Sequence, residues 1–131
     1  MADVNNLNSG RPLILIAEDE ESNYLLLKTI LQKHCDLLRA KTGKEALDLF
    51  KENTVDLIML DIKMPEMTGI EALKEIRKIS TDIPIVMQSA YVFDSDMKAA
   101  EEAGASDFVT KPISLKILKA TVSKYCPSVQ W

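Results

Sequence analysis

The segment Val55-Asp-Leu-Ile-Met-Leu-Asp61 places an acid at the end of a short apolar run. Four consecutive apolar residues, 57–60, with no polar alternation are typical of a strand that is buried on both faces, as in a parallel sheet. Asp61 comes where this strand is expected to end, and the chain then turns through Met64 and Pro65 toward a helix. Because ligands of open α/β sheets collect at the carboxyl ends of the strands, Asp61 is a candidate functional residue.

Strand and helix patterns alternate along the rest of the chain. The predicted strands cover residues 13–17, 36–40, 55–60, 83–87 and 105–110, and the predicted helices cover residues 21–34, 68–79, 95–103 and 114–125, with one more beginning at Thr42. Thr42 and Thr68 are each followed three residues later by Glu, the pattern of a capping box, and Gly104 suits the end of the fourth helix. In the last helix we expect Ile117, Leu118 and Val122 to face inward. Five such units predict a parallel sheet with helices on both faces.

Size and composition indicate one globular domain. The chain has 131 residues, of which 47% are hydrophobic and 27% charged. We expect a flexible tail or linker over residues 1–11, a domain over residues 12–126 and a C-terminal tail over residues 127–131. The formal net charge of -4 argues against direct nucleic-acid binding and against an anionic membrane surface.

The chain carries no signal for export in its sequence. No apolar run reaches the roughly 18 residues of a membrane span, and the polar start lacks the pattern of a secretory signal. Cys35 and Cys126 lie far apart and form no metal-binding spacing. These features predict a cytoplasmic location, no membrane contact and two reduced thiols.

Polar side chains follow four of the predicted strands. Glu18 and Asp19 follow the first strand, Asp61 the third, Ser89 the fourth and Lys111 the fifth. If the first and third strands are neighbours, three carboxylates meet in one crevice, which is unfavourable unless a cation neutralises them or one of them retains a proton. An all-oxygen set with room for water favours a hard divalent cation, and Mg²⁺ first.

This arrangement suits the chemistry of phosphoryl transfer. Beside such a cation, Asp61 could stay a ligand or attack phosphorus as a nucleophile. Phosphoryl transfer requires mainly positioning and compensation of charge, which the Lys111 ammonium and the Ser89 hydroxyl can supply. Each feature alone is ordinary, since acids are common at helix N-termini. Their coincidence at the strand ends of one alternating pattern is the specific signal.

Over about residues 12–125, the chain resembles the receiver domains of two-component response regulators and hybrid sensor histidine kinases. The motifs that carry the likeness are residues 13–20 (LILIAEDE), 56–65 (DLIMLDIKMP), 68–69 (TG), 86–90 (VMQSA) and 104–112 (GASDFVTKP). The likeness implies a flavodoxin-like (βα)5 three-layer sandwich with parallel strand order 2-1-3-4-5. It also implies signal transduction by phosphorelay, in which a histidine kinase or a histidine phosphotransfer protein phosphorylates Asp61.

The resemblance also implies a magnesium site. Asp19 and Asp61 would bind Mg²⁺ directly, and the backbone carbonyl of Lys63 would complete the protein ligands. Glu18 stands where the family more often has Asp, and because it is one methylene longer, it would act through water.

By the same likeness, Ser89 and Phe108 form a switch pair that works with Lys111. Phosphorylation draws the Ser89 hydroxyl toward the phosphoryl oxygens, and the aromatic ring at 108 swings inward. The altered surface is the one formed by the fourth helix, fifth strand and fifth helix, where we expect a partner protein or a second copy in a homodimer to bind. Lys111-Pro112 resembles the family's cis peptide.

Two other functions compete with a phosphoacceptor role. A hydrolase of the haloacid-dehalogenase type needs a second Asp two residues after the first, and Lys63 stands there, so we do not expect an enzyme beyond self-catalysed phosphoryl transfer and dephosphorylation. A pseudo-receiver would keep the fold as a protein-interaction module without the chemistry. The acids, Ser89 and Lys111 argue against it, whereas Glu18 in place of Asp leaves it open.

Three further residues lie outside this set. Lys63 and Tyr91 are candidates for tuning the phosphoryl lifetime, since both are expected beside the path of the attacking water. His34 is expected near the end of the first helix, far from the strand ends, so we interpret it as a structural residue and not a phosphate donor.

The chain fits two origins. The residues leave no room for an output domain, which fits a stand-alone receiver or one cut from a hybrid histidine kinase. In the second case it would be the cytoplasmic part of a membrane sensor.

Overall fold

Strands and helices alternate throughout the part of the chain that the structure describes. This structure is a computed structural model, and it describes residues 10–90 and 94–131. The elements are β1 (Leu13–Ala17), α1 (Glu21–Leu31), β2 (Asp36–Ala40), α2 (Gly43–Glu52), β3 (Leu57–Asp61), α3 (Gly69–Ile79), β4 (Ile85–Ser89), α4 (Asp94–Glu102), β5 (Asp107–Thr110) and α5 (Leu115–Tyr125).

The strands form one parallel sheet in the order β2-β1-β3-β4-β5. This is the predicted order, and the flavodoxin-like fold is confirmed. The central strand β3 lies between β1 and β4, and its last residue, Asp61, pairs with Gln88. The sheet thus brings the ends of β1, β3, β4 and β5 to one edge, as the site requires.

Two cores lie on the two faces of the sheet. One contains side chains from α2, α3 and α4, and the other contains side chains from α1 and α5. Successive strand residues alternate between them: Ile58 and Leu60 lie in the first core, and Leu57 and Met59 in the second, all fully buried. Because both faces are covered, β3 needs the unbroken apolar run from which the parallel sheet was predicted.

The predicted helix caps are present with one change. Thr68 accepts a hydrogen bond from the Glu71 amide (3.2 Å), and the Glu71 carboxylate accepts one from the Thr68 amide (3.0 Å), which completes a capping box. Thr42 accepts from the Glu45 amide, but the Glu45 carboxylate accepts from Lys41 N–H and not from Thr42 N–H. Gly104 takes a φ of +102° after α4.

Several predicted boundaries were wrong by one to three residues. Helix α1 ends at Leu31 rather than His34, because the chain tightens there into a turn in which the His34 amide donates to Leu31 O. Strand β3 starts at Leu57 and includes Asp61, and β4 runs from Ile85 to Ser89 instead of starting before Pro84, which has no N–H for the ladder. Strand β5 starts at Asp107, two residues later than expected.

The prediction for one face of α5 was also wrong. Leu118 and Val122 are buried, as expected, but 47% of Ile117 is exposed, so it lies outside the core stripe. In the same way, α4 begins at Asp94 and ends at Glu102, each one residue earlier than predicted.

The residues after α5 lie against the domain. Val129 is 8% exposed and belongs to the core on the α1 and α5 side. The Trp131 indole donates to Ser123 Oγ at 2.7 Å, and its ring meets that of His34 edge-on, with centroids 4.9 Å apart. His34 therefore has an aromatic packing partner. In the described ranges, no helix has the length and apolar character to cross a membrane.

Candidate functional site

Asp61 is a buried acid at the end of the central strand. It is 5% exposed, and its Oδ1 accepts a hydrogen bond from the Lys63 amide at 3.2 Å. Its Oδ2 lies 2.6 Å from Lys111 Nζ. Backbone and side-chain donors thus hold both carboxylate oxygens at the edge of the sheet.

Two acids of the loop after β1 complete a carboxylate cluster with Asp61. Glu18 is fully buried, whereas Asp19 is exposed to solvent. One oxygen from each of Glu18, Asp19 and Asp61 lies within 4.8 Å of the other two. The sequence prediction that these acids meet is therefore confirmed, because β1 and β3 are neighbours.

Lys111 bridges two of these acids. Its Nζ lies 2.6 Å from Glu18 Oε1 and 2.6 Å from Asp61 Oδ2, and 12% of its side chain is exposed. Burial alone would lower the pKa of Lys111, but its bonds to Asp61 and Glu18 outweigh burial, and the pKa is raised above its ordinary value. Lys111 is thus a fixed positive charge within the cluster.

Glu18 points inward and toward this lysine. Burial raises the pKa of Glu18, and although the bond to Lys111 opposes burial, the pKa stays above its usual value. Glu18 Oε2 also accepts a hydrogen bond from the Glu20 amide at 3.2 Å. The longer side chain therefore places its carboxylate beside Lys111, at the buried end of the cluster.

The cluster fits a hard divalent cation by its chemistry. It offers three carboxylates and one ammonium, and the ammonium already lies between two of the acids as a cation would. Oxygen ligands with one exposed, water-accessible member suit Mg²⁺.

The backbone of the loop after β3 is held tightly around Asp61. The Ile62 amide donates to Gln88 O (3.0 Å), and the Gly69 amide donates to Ile62 O (2.8 Å). A Cβ added at Gly69 would come within 2.0 Å of Asp61 O, so only glycine allows α3 to begin this close to the acid.

The proposed switch residues lie on one face of the sheet. Ser89 ends β4 and is 2% exposed, and its carbonyl accepts a hydrogen bond from the Lys111 amide at 2.9 Å. Phe108 lies in β5 opposite Met87, is partly buried and packs against the core on the α2, α3 and α4 side. It also lines a cavity of about 330 Å³ with Met97 and Ala100 of α4.

Some candidate residues stand apart from this cluster. Lys63 is exposed next to the site, and the Lys111-Pro112 peptide is cis, as predicted. Tyr91 lies outside the described residues. His34 packs on Trp131, at the end of α1 farther from the acids.

Sequence reasoning missed Arg39 of β2. Its guanidinium donates from Nε and Nη2 to Glu18 O, at 3.2 Å each, and from Nη1 to Glu21 Oε1 at 2.6 Å. The available signal was an arginine within a short strand next to an acidic loop, which strand patterns alone do not connect with a site.

The fold and the site together define a receiver-type α/β signalling domain. The sequence model of the response regulator receiver domain matches residues 14–123, and the chain belongs to this family. It is a receiver domain of two-component phosphorelay signalling.

The sequence is similar to a chemotaxis protein and to a hybrid histidine kinase. The chain is 38% identical over 113 residues to the chemotaxis protein CheY of Bacillus subtilis, with 85% of this chain and 94% of that protein covered. It is also 38% identical over 120 residues to hybrid signal transduction histidine kinase I of Dictyostelium discoideum, with 84% of this chain covered. The chain spans only 7% of the length of that kinase.

A solved structure shows the same fold. The chain superposes with a TM-score of 0.83 and 30% identity on the receiver domain of the Saccharomyces cerevisiae response regulator Ssk1, which was crystallised with the histidine phosphotransfer protein Ypd1. The match covers 89% of this chain and 90% of that one.

Proposed function

We propose that Asp61 is the phosphoacceptor of this receiver domain and takes its phosphoryl group from a phosphohistidine. The observation that carries the proposal is the position of Asp61: a buried carboxylate at the end of the central strand, 2.6 Å from the Lys111 ammonium and within the acidic cluster. No other acid that the structure describes combines these features.

The transfer step follows from this geometry. A carboxylate oxygen of Asp61 attacks phosphorus, a P–O bond forms as the P–N bond to the donor histidine breaks, and the donor imidazole keeps the electron pair and takes up a proton. Lys111 compensates the charge on the equatorial oxygens, and the Lys63 amide holds the other carboxylate oxygen in place.

Asp19 and Asp61 would hold Mg²⁺ directly, with the Lys63 backbone carbonyl as a third ligand and Glu18 acting through water. When bound, the cation would neutralise the acids and the incoming phosphoryl group. The close approach of the carboxylate oxygens of Glu18, Asp19 and Asp61 supports this assignment of the magnesium ligands. The contact between Glu18 and Lys111 supports an indirect role for Glu18, since this carboxylate is already bound to an ammonium.

The signal would leave the site through Ser89 and Phe108. The Ser89 hydroxyl moves toward a phosphoryl oxygen on Asp61, and Phe108 turns into the space that this movement opens. Partial burial of Phe108, beside a cavity lined by α4 side chains, supports this proposal. The surface of α4, β5 and α5 is then the one that a partner or a second copy would recognise.

The donor would be a histidine kinase or a histidine phosphotransfer protein, in the cytoplasm. The complex of the Ssk1 receiver domain with Ypd1 supports this class of partner. Leu25 and Leu26 of α1 are 47% and 45% exposed, and Leu26 lines a cavity with Lys111. Leu26, with the exposed Leu25 next to it in sequence, offers an apolar surface beside the site for such a donor.

The lifetime of the phosphoryl group is a separate part of the proposal. Lys63 and Tyr91 would flank the path of the hydrolytic water and slow dephosphorylation. Removing either side chain should shorten the half-life of the phosphorylated domain, measured by the loss of label after the donor is removed. Unchanged half-lives in Lys63→Ala and Tyr91→Ala would contradict this assignment.

Binding of beryllofluoride, which mimics a phosphoryl group on a carboxylate, tests the acceptor role against a pseudo-receiver. With MgCl₂ present, we expect amide shifts in the NMR spectrum around Asp61 and Ser89 in wild type and none in Asp61→Asn. A wild-type domain that shows no response to beryllofluoride and Mg²⁺ would favour the pseudo-receiver.

A further inference from the structure

Arg39 holds the backbone of the acidic loop from the neighbouring strand. Two of its guanidinium nitrogens donate to the single carbonyl oxygen of Glu18, at 3.2 Å each. On the other side of the same residue, the Glu18 amide donates to Ala40 O at 2.9 Å. Both backbone polar groups of Glu18 are therefore bound to the end of β2.

Arg39 is itself fixed by two further contacts. Its third donor group binds the Glu21 carboxylate at 2.6 Å, and its guanidinium carbon lies 4.3 Å from the centre of the Tyr24 ring. Only 14% of the Arg39 side chain is exposed. A planar group that is held by a carboxylate and an aromatic ring presents its remaining donors in one orientation.

The carbonyl that Arg39 binds belongs to the peptide joining Glu18 to Asp19. Fixing this peptide plane fixes the position of the Asp19 Cα atom, from which the Asp19 side chain leaves the backbone. Asp19 is the exposed member of the carboxylate cluster, and within residues 10–90 and 94–131 no hydrogen bond or ion pair holds its side chain in place. Its position therefore depends on the backbone to which it is attached.

We propose that Arg39 is a positioning residue for the magnesium site and acts through the Glu18–Asp19 peptide. This inference rests on the proposed function, since it requires that Asp19 and Asp61 bind Mg²⁺. Groups that orient metal ligands from outside the coordination sphere typically change metal affinity 10–100-fold when they are removed.

Charge and position predict opposite effects of removing Arg39. As a cation, Arg39 opposes the approach of a second cation, so losing its charge would tighten Mg²⁺ binding. Losing its two hydrogen bonds to Glu18 O would weaken Mg²⁺ binding. Arg39→Lys keeps the charge but loses the pair of hydrogen bonds to Glu18 O, and Arg39→Met loses both the charge and these hydrogen bonds. Weaker binding in both variants would identify positioning as the dominant effect.

Arg77 supplies a matched control. Its guanidinium also binds backbone carbonyls, Gly104 O at 2.9 Å and Ile83 O at 2.7 Å, but it lies at the end of α3 that is remote from Asp61. Arg77→Lys should therefore weaken the fold in the same manner without changing the metal site.

The test is a titration of the folded, unphosphorylated domain with MgCl₂, followed by amide NMR shifts near Asp19 and Asp61. We expect Mg²⁺ to bind Arg39→Lys and Arg39→Met about tenfold more weakly than wild type, and Arg77→Lys as tightly as wild type. Wild-type affinity in Arg39→Lys, tighter binding in Arg39→Met, or an equal loss in Arg77→Lys would overturn the inference. A wild-type domain that binds no Mg²⁺ would instead overturn the proposed function.

Discussion

At the scale of single residues, the site is organised by one lysine among three acids. Lys111 touches both buried carboxylates, Glu18 and Asp61, at 2.6 Å. Without it, two carboxylates would remain close together in a site that water reaches poorly. The lysine therefore stabilises the fold of the resting domain as well as serving the proposed transfer.

Replacing this lysine should destabilise the resting protein. Lys111→Met nearly keeps the length of the side chain but removes its charge. The free energy of unfolding should therefore fall by about 3 kcal/mol, as for a buried ion pair that loses one partner. Urea denaturation without divalent cation measures the effect, and adding MgCl₂ should restore part of the loss.

An exposed ion pair provides the control for Lys111. Lys124 lies 3.1 Å from Asp107, but 62% of its side chain is exposed, so Lys124→Met should change stability little. Equal losses in the two variants would show that Lys111 contributes no more than an ordinary surface lysine.

At the scale of elements, the loop between β3 and α3 connects the fold to the acid. Gly69 begins α3 directly against the Asp61 carbonyl. The backbone of Ile62 is hydrogen-bonded to Gln88 of β4 and to Gly69 of α3. Helix α3 therefore acts as a support for Asp61.

Adding one methyl group at Gly69 should disturb this support. The new Cβ of Gly69→Ala would come within 2.0 Å of Asp61 O, so the backbone must move, and we expect stability to fall by about 1–3 kcal/mol. Phosphoryl uptake at Asp61 should fall as well. Ile79 is the last residue of the same helix and is 53% exposed, so Ile79→Ala is the control and should leave phosphoryl uptake unchanged. Normal uptake in Gly69→Ala would contradict the supporting role of α3.

The sequence predicted elements better than their edges. Unbroken apolar runs identify strands that are covered on both faces, and the sheet order then brings Glu18, Asp19 and Asp61 together. The boundaries of elements depend on single backbone hydrogen bonds, such as those of the turn that ends α1 at Leu31. Such hydrogen bonds leave no periodic pattern of apolar residues in the sequence, so they could not be predicted from it. The Arg39 contact joins residues 21 positions apart, so it becomes visible only after β2 lies beside β1.

At the scale of the whole molecule, the sheet separates two cores, and the two cysteines lie in the core beneath α1 and α5. Cys35 and Cys126 are 1% and 4% exposed. Burial raises the pKa of each thiol to about 11. Both are therefore neutral in the folded protein at ordinary pH.

The folded protein should resist alkylation of these thiols. At pH 8, a thiol of pKa 11 has about one hundredth of the thiolate of a thiol of pKa 9, and burial further limits access. Iodoacetamide should modify Cys35 and Cys126 much more slowly in buffer than in urea, as followed by mass spectrometry. Equal alkylation rates in the two solutions would contradict this description of the core.

The free energy of unfolding should also fall as the pH rises from about 9 to 11, because the thiols of the unfolded chain lose their protons first.

Phosphoryl uptake by Asp61 is the most direct test of the central claim. Wild type, Asp61→Asn and Asp96→Asn are incubated with a phosphorylated histidine donor and MgCl₂, and the mass of each intact protein is measured. Asp96 is the control because it lines a groove with Asp19 and Lys63 outside the cluster. We expect one base-labile phosphoryl group on wild type and on Asp96→Asn and none on Asp61→Asn. Uptake by Asp61→Asn at the wild-type level would show that Asp61 is not the acceptor.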